Sequence, residues 1–187
     1  MKAKDNRLQK QLKYYKNRAV VDRIIKDNIS RKKQIVHGAR ALNAFLPSFL
    51  DRQTKDWDVF VANPKKAALA LEKKLDKKFG GNYFGVKKGA SKKVQVNNVY
   101  SIITKENLVD YAKPVRKVPS EVVNGVKYAT LAFEKRQFLR ALRDPNAKYR
   151  NNKDRESLQR IKLYEKLRGK KFQWTKKHKV QRLVLHY

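Results

Sequence analysis

The sequence predicts a single mixed α/β domain, a mixed β-sheet with flanking helices and a long basic helix before it. Two observations predict this class. Hydrophobic periodicity gives the order strand, helix, strand, helix and then several strands. At 187 residues and 41% hydrophobic content, the chain is also long enough to bury one core. We expect a basic helical arm over 1–33, the folded domain over 34–168 and a basic extension over 169–187.

The first half of the chain alternates between helical and extended patterns. In chain order, we expect a helix over 5–33, a strand at 35–36, a helix over 40–46, a strand at 57–61 and a helix over 64–79. The helix over 5–33 is basic and amphipathic, so it either lies on the domain or reaches out to a partner. Pro64 suits a first helical turn, and Gly80-Gly81 supplies a C-terminal stop.

The second half completes the sheet and ends in helices. We expect strands at 83–86, 94–103, 107–111 and 126–128, helices over 131–142 and 152–167, and a further strand at 180–187. Asn124-Gly125 marks a turn, and Asp144-Pro145 separates the two helices.

The charge of the chain is its most unusual bulk property. Lys and Arg number 48 against 16 Asp and Glu, a net charge of +32 that is spread over the whole length. Such a charge attracts polyanions and destabilises an isolated compact state by self-repulsion. Nucleic acid is the expected partner, and an acidic protein assembly is the alternative.

Several classes of protein are not expected. There is no cysteine, so disulfides and thiolate metal sites are excluded. No apolar run approaches the roughly 18–20 residues that cross a bilayer, and the first residues lack the apolar core of a secretory signal. We expect a soluble protein that is intracellular or packaged inside a particle, and is not secreted.

Two aspartates stand out as candidates for chemistry. Asp56 and Asp58 fall two residues apart in an expected strand, so their side chains share a face and Trp57 points the other way. Adjacent carboxylates resist ionising together, and a divalent cation removes that conflict. Oxygen-only ligands favour Mg²⁺ or Mn²⁺. In a cationic chain, this pair indicates metal-assisted chemistry on a phosphate.

These motifs together resemble a known family. A strand that ends at Gly38-Ala39, then a helix, then a strand with Asp-x-Asp resembles the nucleotidyltransferase superfamily of the DNA polymerase beta type. Asp110 in a later strand, the turn at 124–126 and the stretch at 149–154 extend the resemblance over about 34–168. Similar proteins include the nucleotidyltransferase-like and poly(A) polymerase-like proteins of large DNA viruses and phages.

The resemblance implies specific roles for residues of this sequence. Asp56, Asp58 and Asp110 would be the catalytic triad and would hold Mg²⁺ or Mn²⁺ against a nucleoside triphosphate. The nucleotide-binding residues implied are Gly38, Ala39, Arg40 and Lys153. Two features depart from the family pattern. Ala39 stands where Ser or Gly is usual, so a hydroxyl contact to phosphate is missing, and the gap from Gly38 to Asp56 is longer than usual.

Three functions follow as alternatives. The first is an active enzyme that transfers a nucleotidyl unit to a nucleic-acid end. The second is an inactive copy of the fold that serves as a structural, minor capsid-type component of a virion, with acidic protein partners or nucleic acid. The third is an RNA-binding protein of a ribonucleoprotein particle. The viral resemblance implies location in host cytoplasm, a virus factory or a virion.

Some motifs have two interpretations each. His37 at a strand end is a core histidine or a ligand, and the lysine-rich run over 87–93 is a phosphate cradle or a solvated hairpin loop. The aromatic residues of the two basic ends either stack on bases or anchor an interface; they are Tyr14, Tyr15, Phe172 and Trp174.

Overall fold

A seven-stranded mixed sheet lies at the centre of the protein in the computed structural model, which describes residues 17–91 and 94–169. The α-helices of these described residues are α1 (Arg18–Arg31), α2 (Ala39–Phe45), α3 (Pro64–Phe79), α4 (Leu131–Arg143) and α5 (Asn151–Gly169). The strands are β1 (Ile35–His37), β2 (Trp57–Phe60), β3 (Phe84–Lys88), β4 (Val96–Ser101), β5 (Asn107–Ala112), β6 (Ser120–Val123) and β7 (Val126–Ala129). Short 3₁₀ turns follow α2 and α4, at Ser48–Leu50 and Pro145–Arg150.

The order of the strands places chain segments that are far apart in sequence side by side. The sheet has the order β3-β4-β5-β2-β1-β7-β6. β2 pairs in parallel with β5, and β1 with β7, while the other neighbours are antiparallel. The centre of the sheet therefore brings together the ends of β1, β2 and β5, where the predicted site residues lie.

The predicted mixed α/β class is confirmed, and several elements are observed where the sequence predicts them. α3 has the predicted bounds because Asn63 caps it, accepting from the amide of Lys66, and Gly80 ends it in the left-handed conformation at φ +69°. β6 is an additional strand at the edge of the sheet, mostly exposed and without an alternating pattern. The strand predicted at 180–187 lies outside the described residues.

One face of the sheet is covered by α1 and α3. Val21, Ile25 and Ile29 of α1 have no exposed surface and belong to the same hydrophobic core as Leu71 and Leu75 of α3. Burial of apolar area on this scale is the main stabilising contribution to such a fold. Of the two interpretations of the basic N-terminal helix, residues 18–31 follow the first: they lie on the domain.

The opposite face carries the predicted carboxylates and is only partly covered. Phe133 of α4 packs there against Phe60 and Ile35. Beyond the sheet, α2, α4 and α5 form a second small core around Leu42, Phe138 and Ile161. This helical cluster borders the open part of the face and forms one wall of the site.

The domain limits at residues 33 and 168 stay predictions. Residues 1–16 and 170–187, which include the aromatic residues of the basic ends, lie outside the described residues. Of the helices that are described, none combines the length and the apolar character that crossing a membrane requires.

Candidate active site

Neighbouring strands place three carboxylates on one face of the sheet. β2 and β5 run parallel with Asp58 directly opposite Asp110. Asp56 lies in the bend just before β2 and lines the same cleft as Asp58. The structure thus places the three predicted aspartates near one another, and their catalytic and metal-binding roles stay predictions.

The three carboxylates carry charges of the same sign and repel one another. Burial and, after it, the negative charges of Asp56 and Asp110 together raise the pKa of Asp58 to about 7, against the cations Arg150 and Arg52. Burial also raises the pKa of Asp110, whereas the amide hydrogen bonds that it accepts lower it. A positive charge bound between them would relieve this repulsion.

Two asparagine side chains hold Asp110. The Nδ2 groups of Asn98 and Asn107 each donate to Asp110 Oδ1 at 2.5 Å. Within residues 17–91 and 94–169, no three acidic or histidine side chains converge as a ready-made metal site. The carboxylates are thus adjacent, but their side chains are not gathered around one point.

The turn between β1 and α2 lies directly against Asp58. Gly38 has φ +70°, and a Cβ atom placed on it would lie 2.5 Å from Asp58 Oδ2. A glycine is required here both for its backbone conformation and for the space beside the carboxylate. Ala39, which follows it, is almost fully buried and also lines the site.

A buried glutamate that the sequence analysis missed supports this turn. The amide of Gly38 donates to Glu134 Oε1 at 2.9 Å, and Glu134 in α4 is 2% exposed. The pKa of Glu134 is raised to about 8: burial raises it most and the charge of Asp58 adds to this, while the hydrogen bond from the Gly38 amide and the charge of Arg150 act against it. In the sequence, Glu134 is explained as an acidic residue in the first turn of a helix, where negative charge is favourable. The sequence therefore gives no sign that Glu134 belongs to the site.

Asp56 and Asp58 face a cleft that also contains cations, whereas Asp110 is not part of its lining. This carboxylate cleft has a volume of about 220 Å³, and its lining includes Asp56, Asp58, Arg52, Arg150 and Lys153. A second hollow of about 450 Å³ adjoins it and shares Arg52, Asp56 and Lys153. Lys153, predicted as a nucleotide-binding residue, lines both hollows, whereas no role was predicted for Arg52 and Arg150.

Arg150 is held in place by an ion pair. Its guanidinium donates to both carboxylate oxygens of Asp154, at 2.9 and 3.0 Å, and the Asp154 side chain is 1% exposed. Two-pronged pairs of this kind fix the orientation of the guanidinium. The stretch at 149–154 therefore contributes one fixed cation, Arg150, and a second cation, Lys153, to one wall of the cleft.

Arg40, predicted as a phosphate contact, lies elsewhere. Its Nε donates to the backbone oxygen of Asp56 at 2.7 Å, and its guanidinium lies 3.9 Å from the centre of the Trp57 ring. It does not line the carboxylate cleft. The reason is the alternation of β2: Trp57 faces away from Asp58, and Arg40 packs on the Trp57 side.

His37 is a core residue. Its ring stacks on Phe60 with centroids 3.7 Å apart, and burial together with the charge of Arg150 lowers its pKa to about 3. The imidazole is therefore neutral, and the core interpretation fits better than a ligand. The run over 87–93 keeps both of its interpretations, because residues 92 and 93 lie outside the described residues.

Comparisons with solved structures place this geometry in a known fold. The crystal structure of the Megavirus polyadenylate synthase matches with a TM-score of 0.66 and 19% identity, over 80% of this chain and 32% of the other. The crystal structure of JHP933 from Helicobacter pylori matches with a TM-score of 0.51 and 18% identity, over 80% of this chain and 67% of that one. No family model matches the sequence, and no curated protein matches it. This chain therefore spans about a third of the Megavirus protein and shares its fold.

Proposed function

We propose that this chain, which has the nucleotidyltransferase fold, is a divalent-metal-dependent enzyme that joins a nucleotidyl unit to the end of a nucleic acid. The observation that carries the proposal is the pairing of Asp58 with Asp110 on adjacent parallel strands, beside Asp56 and a cleft that contains cations. In the reaction, the acceptor hydroxyl oxygen bonds to the α-phosphorus of a nucleoside triphosphate, and the bond to the leaving pyrophosphate breaks.

The residues present fit a divalent cation. Asp56, Asp58 and Asp110 offer carboxylate oxygens, the donors that Mg²⁺ and Mn²⁺ prefer. The raised pKa of Asp58, near 7, marks a position where negative charge is in excess. Asp56 and Asp58 would hold the cation, and Asp110 would join them by releasing its two amides. Bound there, a divalent cation supplies charge neutralisation at the attacking and leaving oxygens.

The cations of the cleft would bind the triphosphate. Arg150, fixed by Asp154, offers guanidinium donors that match phosphate oxygens, and Lys153 and Arg52 lie in the same lining. Gly38 allows the turn to approach without a side chain. Ala39 offers no hydroxyl, so the three cationic side chains would make most of the contacts to phosphate.

Asp110 is also placed to orient the acceptor. Its raised pKa makes its carboxylate a better proton acceptor than an exposed aspartate. The adjoining hollow shares Asp56 and includes Asn107, which donates to Asp110. A nucleic-acid end that enters through this hollow would bring its hydroxyl beside both carboxylates.

The direct test is transfer of labelled nucleotide to mixed RNA and DNA ends, with each nucleoside triphosphate and with Mg²⁺ or Mn²⁺. We expect metal-dependent transfer by the wild type and none by Asp56→Asn/Asp58→Asn. Far-UV circular dichroism of both proteins checks that the variant is folded. No transfer by the folded wild type with any combination of triphosphate, acceptor and metal would overturn the proposal.

A second candidate is an inactive copy of the fold that serves as a structural component of a virus particle or another large assembly. Two observations favour it: Asp110 is held by Asn98 and Asn107, and Ala39 replaces a serine or glycine. The positive charge would then bind nucleic acid or acidic proteins of the assembly. This candidate predicts that triad variants retain nucleic-acid binding and assembly while no form of the protein transfers nucleotide.

A further inference from the structure

A second cleft opens at the other end of the central strands. It has a volume of about 640 Å³ and lies where β1 begins, at Gln34 and Ile35, and where β2 ends, at Phe60. The carboxylate cleft lies at the opposite ends of the same strands, at Gly38 and Asp58. At about 3.3 Å per residue, the two residues from Asp58 to Phe60 place the linings of the two clefts roughly 7 Å apart along β2.

Five cations surround this second cleft, which we call the basic cleft. They are Lys32, Lys33, Lys66, Arg116 and Lys117. All five are exposed, and among the residues that the structure describes, no acidic side chain lines the basic cleft. The carboxylate cleft, by contrast, includes Asp56, Asp58 and Asp154. The two clefts therefore have opposite chemical characters: one mixes both signs of charge, and the other is cationic.

The cations come from three separate segments. Lys32 and Lys33 follow α1, Lys66 lies in the first turn of α3, and Arg116 and Lys117 lie between β5 and β6. A small anion cannot reach cations on three segments of so wide a cleft, whereas a chain of regularly spaced negative charges can. The N-terminus of α3, with its partial positive charge, lies in the same cleft at Asn63.

The floor of the basic cleft is apolar, with one unsatisfied polar group. Ile35, Phe60 and Val118 contribute to the floor. Gln34 is 9% exposed, and within the described residues its Oε1 is buried with no hydrogen-bond partner. An unpaired buried acceptor is unfavourable.

We propose that the basic cleft binds the sugar-phosphate backbone of a single-stranded nucleic acid. Phosphates contact the five cations, and sugars or bases lie on the apolar floor, as single strands do in positively charged grooves with apolar platforms. An acidic peptide would match the charge but not the floor. That this nucleic-acid strand is the acceptor rests on the proposed function, in which the carboxylate cleft adds a nucleotidyl unit to the end of the strand.

The test measures binding of a fluorescent oligonucleotide of about 20 nucleotides, as RNA and as DNA, by anisotropy over a range of salt concentrations. The full chain is used, with EDTA and without nucleotide, so that binding does not depend on catalysis. The cleft variant is Lys33→Gln/Lys66→Gln/Arg116→Gln. The matched control, Lys73→Gln/Lys77→Gln/Lys162→Gln, removes three exposed cations that line neither cleft. Thermal unfolding checks that both are folded.

We expect the cleft variant to bind at least about tenfold more weakly and to lower the slope of log affinity against log salt by about 2, since each lost phosphate contact contributes roughly 0.7 for a single strand. The control should bind within about threefold of the wild type. Equal losses in both variants would overturn the proposal, because total charge would then explain binding.

A competition experiment separates the two kinds of partner. Polyglutamate at equal charge concentration should displace the oligonucleotide poorly. Displacement as effective as that by unlabelled oligonucleotide would overturn the nucleic-acid assignment. If the wild type binds through the basic cleft but transfers no nucleotide, the proposed function fails and the strand-binding site stands.

Discussion

At the residue scale, Gly38 lies directly against the Asp58 carboxylate, which predicts that a side chain at position 38 destabilises the protein. Gly38→Ala combines an unfavourable positive φ with a Cβ atom 2.5 Å from Asp58 Oδ2. We expect the free energy of unfolding to fall by about 3 kcal/mol or more. Urea denaturation measures it.

Gly80→Ala is the matched control for that substitution. Gly80 has nearly the same φ, +69°, but a Cβ atom there would meet nothing within 4 Å. Its loss should be about 1 kcal/mol, the backbone contribution alone. Equal losses at Gly38 and Gly80 would contradict the close approach to Asp58.

Glu134 predicts how stability depends on pH. Its pKa in the folded protein, about 8, lies above the ordinary value of 4.5, so the folded state binds more protons than the unfolded state between these values. Stability from this group is present below about pH 4.5 and is lost as the pH rises toward about 8. Glu134→Gln keeps an acceptor for the Gly38 amide but does not titrate.

The comparison of wild type and Glu134→Gln isolates this group, since Asp58 titrates in both. We expect Glu134→Gln to become more stable than the wild type as the pH approaches about 8, by roughly 2 kcal/mol. Urea denaturation at several pH values measures the difference. A difference between the two proteins that does not change with pH would show that Glu134 does not titrate in this range.

The same scale shows what sequence can and cannot predict about a site. Asp56, Asp58 and Asp110 can be selected as candidate residues from the sequence alone. The first two form an Asp-x-Asp motif, and the third is the acidic residue of a later predicted strand. Glu134 and Arg150 were missed as site residues because only tertiary packing brings α4 and the turn after it to the carboxylates. Arg40 was predicted as a phosphate contact but lies outside the lining of the carboxylate cleft. It packs on Trp57, a contact that the sequence did not show.

At the element scale, α5 provides the carboxylates of two ion pairs: Asp154 in its first turn pairs with Arg150, and Glu165 near its end pairs with Lys135 of α4. Asp154 in the Arg150 pair is 1% exposed, while the Lys135–Glu165 pair leaves its side chains 35% and 48% exposed. Asp154→Asn should lower the free energy of unfolding by about 2 kcal/mol, since it weakens a buried charged hydrogen bond. It should also raise the KM for the triphosphate, because Arg150 loses its fixed orientation.

Glu165→Gln breaks the ion pair between Lys135 of α4 and Glu165 of α5 and is the control, with an expected loss under about 1 kcal/mol and an unchanged KM. Chemical denaturation and steady-state kinetics measure both quantities. A KM that rises equally in the two variants would show that the helix junction as a whole, and not Arg150, sets nucleotide binding.

Elements with strong end signals were predicted with nearly correct bounds. α3 has Asn63, Pro64 and Gly80 at its ends, and the turn at Asn124-Gly125 adopts positive φ at both residues. β6 was missed because an edge strand exposed on both sides shows no alternation. The order of strands was not predictable, since parallel pairing of β2 with β5 joins segments about fifty residues apart in the chain.

At the scale of the whole molecule, the mutual repulsion of Asp56, Asp58 and Asp110 stands against a net charge of +32. Without metal, Asp56→Asn/Asp58→Asn should be more stable than the wild type at neutral pH, because it removes repulsion between buried carboxylates. Saturating Mg²⁺ should then raise the Tm of the wild type and leave that of the variant nearly unchanged.

Differential scanning fluorimetry with and without EDTA measures this shift, with Ca²⁺ and Na⁺ as comparison ions. The control variant Asp51→Asn removes an exposed aspartate outside the cleft lining and should keep the response to Mg²⁺. The same Mg²⁺ response in all three proteins would place metal binding elsewhere on the molecule.

The fold as a whole was predictable from the resemblance of its motifs to nucleotidyltransferases, and the structural neighbours confirm it. The basic cleft was not predictable, because its cations are spread over 32–117 in a chain where basic residues occur throughout. In such a sequence, only the folded arrangement separates a cationic site from the background of charge.

The central claim is that the three carboxylates form one active site, and the most direct measurement is metal-dependent nucleotide transfer by single variants. Asp56→Asn, Asp58→Asn and Asp110→Asn should each lower the transfer rate by at least about a thousandfold, while Asp51→Asn stays within about threefold of the wild type. The account would be contradicted if transfer persists in all three of these variants, or if Asp51→Asn lowers the transfer rate as much as they do.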